Sequence, residues 1–179
     1  MASGLAYIHR HGFVHKDIKP SNILVKDGII KITDMGISKE FIPDQSHVSK
    51  TSVGGTMGWT APEYEVPHKP EFAPSGDIWA LGCVLHYLFT RGGHPFGLDD
   101  TWTGLKNATN FDYCNLGELQ SRLGTDYDVI TQLIIKMVSP VATERPSIKE
   151  VKIISEGALT LGENLKPLKK NSKNLNDGK

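Results

Sequence analysis

The octapeptide His15-Lys16-Asp17-Ile18-Lys19-Pro20-Ser21-Asn22 decides the fold of this sequence. Two short runs rich in β-branched residues come next, 22–25 and 29–33, and Asp27-Gly28 joins them. Because Asp-Gly readily adopts the positive φ angles of a tight turn, this region is predicted to be a small β-hairpin. By itself the octapeptide would also fit a polar turn with a solvated His-Lys-Asp cluster, since short motifs recur by chance.

Helical patterns lie on both sides of this region. Residues 4–11 have the pattern of the end of a helix, and residues 77–90 are apolar almost all round, which is typical of a helix buried inside a domain. Apolar residues recur at helical spacing over 129–138, and Ser147 with Glu150 forms a capping box that predicts the start of a last helix. The fold is therefore predicted to be mainly α with a small β-hairpin.

Two stretches lack such patterns. Residues 37–60 mix Ser, Thr, Gly and Pro without a sustained period, which predicts a long surface loop of the kind that often carries function. From residue 162 the sequence is rich in Lys and Asn and has no apolar periodicity, so residues 162–179 are predicted to be a flexible, mildly basic tail. One folded unit over residues 1–161 is expected.

The composition excludes several classes of protein. The chain of 179 residues carries 20 basic and 20 acidic side chains, so bulk charge gives no reason to expect direct nucleic-acid binding. Its longest apolar run, 78–89, is far shorter than the roughly 20 residues that cross a bilayer, so no membrane span is expected. The two cysteines, Cys83 and Cys114, lie far apart without ligand-type partners, which fits a reducing, cytoplasmic compartment and predicts no cysteine metal site.

Five landmarks in this order resemble those of eukaryotic protein kinases. The octapeptide is similar to the kinase catalytic loop H-R-D-x-K-x-x-N, with Lys16 in place of the arginine. The other four are Thr33-Asp34-Met35-Gly36 for D-F-G, GTMGWTAPE at 55–63 for the end of the activation segment, DIWALG at 77–82 for the central helix, and Arg145 after Glu144. The resemblance implies the C-terminal (large) lobe of the α+β protein-kinase fold over residues 1–161.

The resemblance also assigns site residues. Asp17 would be the catalytic base that accepts the proton of a substrate hydroxyl, and Lys19 would place a positive charge beside the transferred phosphoryl group. Asn22 and Asp34 would hold Mg²⁺ through oxygen atoms. The implied ATP contacts come from Lys19, Asn22, Asp34 and Leu24, the last as a floor. The implied cofactors are ATP and Mg²⁺, and the implied partner is a protein substrate.

Further residues are implied to have structural or regulatory roles. His15 would pack beneath the site against Met35, Asp77 would hold the backbone N–H groups of the catalytic loop, and Glu63 would pair with Arg145. Taken singly, such charges are more often solvated surface groups, and Asp34 would more often be a turn residue. The activation segment would contain Ser46, Ser49, Thr51, Ser52 and Thr56; the first four are candidate phosphorylation sites, and Lys16 is the candidate docking group for a phosphate.

Other features narrow the family. Lys19 and Thr56 indicate the Ser/Thr class. Within that class, GTMGWTAPE together with GGHPFG at 92–97 is similar to the kinase/endoribonuclease sensors of the unfolded-protein response and to ribonuclease L. An RNase module follows the kinase domain in those proteins, and the Lys/Asn-rich tail here leaves no room for one. A parent of this type would place the chain at the cytosolic face of the endoplasmic reticulum, with a second kinase copy as a candidate partner.

The landmarks of the small lobe, which closes over ATP in kinases, are missing from the sequence. No Gly-rich phosphate loop precedes the octapeptide, and neither a strand Lys nor its helical Glu partner is present. Three functions stay open: a Ser/Thr protein kinase fragment without its N-lobe, a catalytically inactive kinase-like interaction module that uses the surface around 87–111, and the kinase half of a kinase/endoribonuclease sensor without its RNase module. The retained Asp17, Lys19, Asn22 and Asp34 favour descent from an active enzyme, whose isolated fragment is expected to be inactive.

Overall fold

The computed structural model describes residues 1–41, 48–49, 55–64, 71–97, 101–110, 112, 115–125 and 128–171. Within these ranges the α-helices are α1 (Ala2–Arg10), α2 (Pro74–Phe89), α3 (Thr101–Asn110), α4 (Leu116–Leu123), α5 (Asp128–Met137) and α6 (Ile148–Asn171). The strands are β1 (Phe13–Val14), β2 (Ile23–Lys26), β3 (Ile29–Ile32), β4 (Lys39–Glu40), β5 (Val48–Ser49) and β6 (Glu71–Phe72). They form antiparallel pairs, β1 with β4, β2 with β3 and β5 with β6. The prediction of a mainly α fold with a small β-hairpin is confirmed.

The predicted hairpin is the pair of β2 and β3. Its register places Ile23 opposite Ile32. The turn consists of Asp27 and Gly28, whose φ angles of 53° and 73° are both positive, as the common two-residue hairpin turn requires. Asp27 is tolerated there because Asp is one of the few residues besides glycine that visit the left-handed region readily. The Asp-Gly pair in the sequence therefore identified the turn.

The other two strand pairs involve the stretch that the sequence predicted as a loop. Strand β4 lies inside residues 37–60 and pairs with β1, which precedes the octapeptide, while β5 pairs with β6. Each of these strands has two residues, which is too short for the alternation that identifies a strand in a sequence. The backbone N–H of Phe41 also donates to the carbonyl of Gly12 at 2.6 Å. The segment that follows the hairpin is thereby fastened to β1.

Helix α2 runs through the middle of the domain, in agreement with its all-round apolar pattern. Residues 76–84 of this helix are all buried, and α5 packs closely against it at Gly82. A Cβ atom at Gly82 would lie 2.8 Å from Cβ of Met137 and 2.8 Å from a methyl carbon of Val138. Non-bonded carbon atoms prefer separations of about 3.5 to 4.0 Å, so only glycine allows the two helices to pack this closely.

The remaining helices cover the faces of α2 and α5. Leu5 of α1, Leu119 of α4 and Val151 of α6 are buried and complete the core. Helix α6 packs against both α1 and α5, which brings the two ends of the folded unit together. Ile18 of the octapeptide belongs to this core, and Ile23 and Ile32 of the hairpin pack against it.

Two helix starts follow from local sequence. Helix α2 begins at Pro74, one turn before the predicted range 77–90, because proline fits the first helical position, where a backbone N–H has no partner. Helix α6 begins after Ser147, whose hydroxyl accepts the N–H of Glu150 (3.3 Å) while the Glu150 carboxylate accepts the N–H of Ser147 (2.8 Å). The predicted capping box is confirmed.

The end of α6 differs from the sequence pattern. The helix continues to Asn171, whereas a flexible, mildly basic tail was predicted from residue 162. Leu, Lys and Glu in this stretch are good helix formers, and a helix does not need an apolar face to exist. Residues 172–179 lie outside the described ranges, and the division of the chain at residue 161 stays a prediction. None of the helices that the structure describes is both long and apolar enough to span a bilayer.

Candidate active site

Asp77, in the first turn of α2, fixes the shape of the octapeptide. Its buried carboxylate accepts the backbone N–H groups of His15 (2.8 Å) and Lys16 (2.9 Å), and it lies 2.8 Å from Nε2 of His9 on α1. Because an unpaired buried carboxylate is very unfavourable, these partners are what allow Asp77 to stay in the core. They hold Lys16 at a left-handed φ of 74°, which residues other than glycine seldom adopt. The sequence did not predict the contact with His9.

His15 ties the octapeptide to the end of β3. Its buried ring accepts the N–H of Asp17 at Nδ1 (3.2 Å), so the ring hydrogen lies on Nε2, which donates to the carbonyl of Thr33 (3.0 Å). This bridge holds Asp17 and the Asp34 turn in one framework, since Asp34 directly follows Thr33. Met35, which the resemblance places against His15, is 41% exposed.

Three side chains hydrogen-bond to the carboxylate of Asp17. Lys19 Nζ lies 2.8 Å from Oδ2, the amide nitrogen of Asn22 donates to the same oxygen at 3.0 Å, and the Thr56 hydroxyl donates to Oδ1 at 2.6 Å. Burial raises the pKa of Asp17, but these hydrogen bonds and the charge of Lys19 outweigh burial and leave the pKa below its ordinary value. The group is therefore an anion at neutral pH, and fixed donors orient both of its oxygens.

Thr56 belongs to this cluster, although the sequence placed it only in the activation segment. Lys19 Nζ donates to its hydroxyl at 2.6 Å, so the hydroxyl accepts from Lys19 and donates to Asp17. Glycines at positions 55 and 58, with φ angles of 106° and 86°, form the turn that brings Thr56 to the octapeptide. The Gly-Thr-Met-Gly spacing indicates such a turn, but it does not identify Asp17 as the partner. We call the three residues Asp17, Lys19 and Thr56 the Asp17 triangle.

Asn22 and Asp34 are neighbours through Thr33. The N–H and the hydroxyl of Thr33 both donate to the carbonyl of Asn22, at 2.9 and 3.2 Å. Asn22 directs its amide nitrogen at the carbonyl (2.8 Å) and carboxylate of Asp17, which leaves its amide oxygen as an acceptor. Asp34 is exposed, has a left-handed φ of 64° and accepts the N–H of Gly36 at 3.2 Å. Leu24, on the adjacent strand β2, is 52% exposed.

The donor set at Asn22 and Asp34 suits a hard cation. One carboxylate and one amide oxygen match the way in which Mg²⁺ is usually held, by one or two protein groups together with phosphates and water. Among the residues that the structure describes, no group of three or more His, Cys, Asp or Glu side chains forms a metal site by itself. Within the described residues, these two oxygen donors therefore suit a metal ion that takes its other ligands from water or a bound molecule.

Glu63 and Arg145 form a two-pronged ion pair. The guanidinium donates from its two terminal nitrogens to the two carboxylate oxygens of Glu63, each at 2.7 Å. The Arg145 side chain is fully buried and the Glu63 side chain is 26% exposed. The guanidinium also donates to the carbonyls of Ser139 (2.8 Å) and Ser75 (3.1 Å) and lies over the Trp79 ring, 5.0 Å from its centroid. The pair fastens the segment 55–64 to α2 and to the turn before α6.

Lys16 is buried and does not face open water. Its Nζ lies 4.2 Å from the centroid of the Phe72 ring, a cation–π arrangement. Burial lowers the pKa of Lys16 and the nearby charge of Lys39 lowers it further, whereas Asp77 raises it. Phe72 pairs with Val48 of β5, whose other residue is the candidate phosphorylation site Ser49. Ser46, Thr51 and Ser52 lie outside the described residues.

Comparison with known families agrees with this geometry. The sequence matches the family model of the protein kinase domain over residues 1–154. The chain belongs to the protein kinase family. The match includes the octapeptide, the Asp34 turn, the segment 55–64 and Arg145, so every residue of the candidate active site lies within the kinase domain.

Several curated kinases resemble this kinase domain. It is 34% identical over 159 residues to the human serine/threonine-protein kinase/endoribonuclease IRE2, and this match covers 84% of this chain and 17% of the human protein. It is 40% identical over 101 residues to the rice enzyme IRE1, and 36% identical over 105 residues to the mouse dual specificity protein kinase TTK; each match covers 54% of this chain and 11% or 12% of the relative. The chain thus spans less than a fifth of the length of these relatives.

Proposed function

We propose that this chain provides the catalytic loop of a Ser/Thr protein kinase, an enzyme that transfers the terminal phosphoryl group of ATP to a protein hydroxyl. The observation that carries the proposal is the Asp17 triangle, in which an ionised carboxylate, an ammonium group and a hydroxyl contact one another within 2.8 Å. Membership of the protein kinase family and the resemblance to Ser/Thr kinases support it.

Each member of the triangle has a chemical task in this proposal. Asp17 orients the substrate hydroxyl and takes its proton, while the hydroxyl oxygen forms a bond to the phosphorus and the bond from that phosphorus to the leaving diphosphate breaks. Lys19 places its positive charge beside the transferred group and stabilises the negative charge of its oxygens. Thr56 holds the two groups at fixed positions. Because its pKa is lowered, Asp17 contributes chiefly by orientation and by accepting the proton late in the transfer.

Asn22 and Asp34 hold Mg²⁺ in the proposed enzyme. Their amide and carboxylate oxygens are the ligand types that this ion prefers. When bound, the metal neutralises charge on the nucleotide phosphates and orients them. The framework of His15 and Thr33 keeps Asp34 in register with Asp17, so the phosphates and the substrate hydroxyl are aligned by one rigid unit.

The hairpin provides an apolar surface that a nucleotide-binding lobe would cover. Its apolar side chains Leu24, Val25, Ile29 and Ile30 are all largely exposed. A two-stranded hairpin normally has such residues covered, and ATP needs a roof as well as the floor that Leu24 offers. The isolated chain is therefore expected to bind Mg-ATP weakly and to transfer no phosphate, which calorimetric titration of residues 1–179 would measure. Tight binding in that titration would contradict the requirement for a second lobe.

The activity test joins this chain to the small lobe of a related kinase. The fusion is expected to phosphorylate a protein substrate, and Asp17→Asn is expected to abolish turnover with little change in melting temperature. Asp27→Asn is the matched control, because Asp27 is exposed in the hairpin turn and Asn tolerates its positive φ equally well. If Asp17→Asn kept most of the activity, Asp17 would not be the base. A folded fusion without activity would favour a non-catalytic interaction module.

A narrower candidate is the kinase half of a kinase/endoribonuclease stress sensor. It is supported by the likeness to human IRE2 over 84% of the chain and by the rice IRE1 match. In that case the chain belongs to a longer protein, acts at the cytosolic face of the endoplasmic reticulum and takes a second kinase copy as partner. Sequencing of the transcript on both sides of this coding region tests the idea. A contiguous RNase module would support it, and a transcript that encodes a kinase without one would reject it in favour of a cytoplasmic kinase.

A further inference from the structure

A buried histidine outside the octapeptide is connected to the Asp17 triangle. His94 lies in the loop that follows α2 and is 5% exposed. Its carbonyl accepts the side-chain amide of Asn115 (2.5 Å) and the N–H of Gly97 (3.3 Å), and its Nδ1 accepts the N–H of Phe96 (3.2 Å). These contacts fix both the backbone and the ring of His94.

The ring of His94 supports Trp59. The two rings meet at 88° with their centroids 5.2 Å apart, and Tyr87 of α2 meets Trp59 at 74° and 5.6 Å. Such edge-to-face pairs are favourable beyond the area that they bury, because the positive edge of one ring meets the negative face of the other. The half-buried indole of Trp59 is therefore held by two aromatic rings from α2 and the loop after it.

Trp59 in turn holds Thr56. Its backbone N–H donates to the carbonyl of Thr56 at 3.0 Å, and the Thr60 hydroxyl donates to the same carbonyl at 3.0 Å. These two bonds close the turn that presents the Thr56 hydroxyl to Asp17. The indole is thus one attachment of this turn to the domain, beside the hydrogen bonds of the Thr56 hydroxyl and the pair of Glu63 with Arg145.

We propose that His94 is a positioning residue, which acts through Trp59 and Thr56 to hold the hydrogen bond on the Asp17 carboxylate. The role in catalysis that this inference implies rests on the proposed kinase function. The contacts from His94 to Thr56 do not depend on that function. His94 touches neither substrate nor Asp17, so it is not a catalytic residue.

The neutral form of His94 performs this task. Burial and the nearby His86 lower the pKa of His94 to about 4, although the carbonyls of Gly58 and Gly97 oppose the shift. Its Nε2 makes no hydrogen bond of ordinary geometry within the described residues, although the Gly58 carbonyl is near enough to oppose the pKa shift. The contact of the ring with Trp59 is edge to face. The property that matters is then the ring itself, which Phe can replace and Leu cannot.

The test measures the ¹³C chemical shift of the Asp17 carboxyl group in the full 179-residue chain at pH 7. Thr56→Val removes the hydrogen bond from the Thr56 hydroxyl to Asp17, and the change in the Asp17 signal that it causes serves as the reference. His94→Leu is expected to move the Asp17 signal in the same direction by most of that amount, and the double variant is expected to move it no further than Thr56→Val. His94→Phe is expected to keep the signal near its original position.

The controls separate positioning from general loss of stability. Leu119→Ala empties a buried site of α4 and is expected to lower stability without moving the Asp17 signal. If His94→Leu does not fold, His94→Asn, which lacks the ring but keeps an acceptor, is measured in its place. A folded ring-free variant with an unmoved Asp17 signal overturns the proposal, and so does an unmoved signal in Thr56→Val. An inactive kinase fusion would reject the proposed function while this result stands, because the measurement needs no nucleotide.

Discussion

The octapeptide and the hairpin that follows it are neighbours in sequence, yet their side chains are satisfied in opposite ways. The polar groups of His15, Asp17 and Asn22 are buried and hydrogen-bonded to partners of the same chain. Four apolar side chains of the hairpin are largely exposed, namely Leu24, Val25, Ile29 and Ile30. In the proposed kinase, the substrate side therefore rests on polar groups that are satisfied within this chain, whereas the nucleotide side would rest on apolar groups that a second lobe would cover.

The largest effect is expected where the substrate side is fastened to the core. Arg145→Ala should lower the free energy of unfolding by about 3 to 5 kcal/mol, because it leaves the Glu63 carboxylate near the core without its partner. Since the Glu63 side chain is 26% exposed, the lower end of this range is expected. Urea denaturation measures the change. Arg122→Ala, which breaks the exposed pair with Glu118, is the control and should change stability by less than about 0.5 kcal/mol. Equal effects of the two substitutions would contradict the buried pair.

The second effect is a dependence of stability on pH, and it arises from His94, which supports Trp59 and Thr56. The pKa of His94 is lowered to about 4 in the folded chain, whereas the ordinary histidine pKa of about 6.5 applies in the unfolded chain. Between these two pH values, His94 therefore binds a proton in the unfolded chain but not in the folded chain. Stability should therefore fall as pH drops from about 6.5 to 4, by about 3 kcal/mol from this residue. His86, whose pKa burial also lowers, adds to the fall. His94→Phe should remove the His94 share in denaturation curves at several pH values, whereas His11→Phe, at an exposed position, should not. An unchanged slope in His94→Phe would show that His94 titrates normally.

A third prediction tests whether phosphorylation of the activation segment controls the octapeptide through Lys16. In the complete kinase, phosphate on Ser46, Ser49, Thr51 or Ser52 is expected to raise activity by docking on Lys16. A charge-assisted hydrogen bond is typically worth about 1.5 kcal/mol, which corresponds to roughly a tenfold change in rate. Lys16→Arg should strengthen the dependence, because a guanidinium binds phosphate with two prongs, and Lys16→Ala should erase it.

Mass spectrometry after autophosphorylation, with rates for a variant that carries Ala at all four sites, measures this dependence. An unmodified segment together with full activity of the four-site variant would show that it is not a switch. The buried position of Lys16 over Phe72 adds a condition, since docking of a phosphate must draw Nζ away from that ring.

The smallest effect on stability is expected at the hairpin. Val25→Thr and Ile30→Thr, which lie opposite each other in the register, should each change the free energy of unfolding of the isolated chain by less than about 0.5 kcal/mol. The same substitutions should weaken binding of a separately expressed small lobe, measured by calorimetry. The control is Leu133→Ala in the buried core, which should lower the free energy of unfolding by about 2 to 5 kcal/mol. A strong loss of stability in the hairpin variants would show that these residues belong to the core of this chain.

Much of the fold was predictable because its signals are local. The Asp-Gly turn, the apolar period of α5, the all-round apolar α2 and the capping box at Ser147 each lie within a few residues of sequence. The order of the kinase landmarks pointed to Asp17, Lys19 and Asn22, and the structure brings these three side chains together. Their catalytic roles stay predictions.

The parts that sequence could not supply depend on distant contacts. Strands of two residues have no periodicity, so the pairing of β1 with β4 left no pattern. The contact of Thr56 with Asp17 joins residues 39 positions apart, and that of His9 with Asp77 joins residues 68 positions apart. The edge-to-face contact of His94 with Trp59 joins two residues that nothing in the sequence relates. Only the folded backbone puts these groups side by side.

The left-handed backbone at Lys16 and Asp34 has a consequence for how this chain would evolve. Outside glycine, such a conformation is unfavourable by about 1 to 2 kcal/mol, and the penalty is smaller for Asp than for Lys. A glycine at position 16 would relax the backbone at once, so a selection for thermal tolerance alone should enrich it there. A selection for phosphoryl transfer should instead keep a cation. Two parallel selections on one library would therefore diverge first at this residue. The divergence would measure how much stability is lost when a cation is kept at this position.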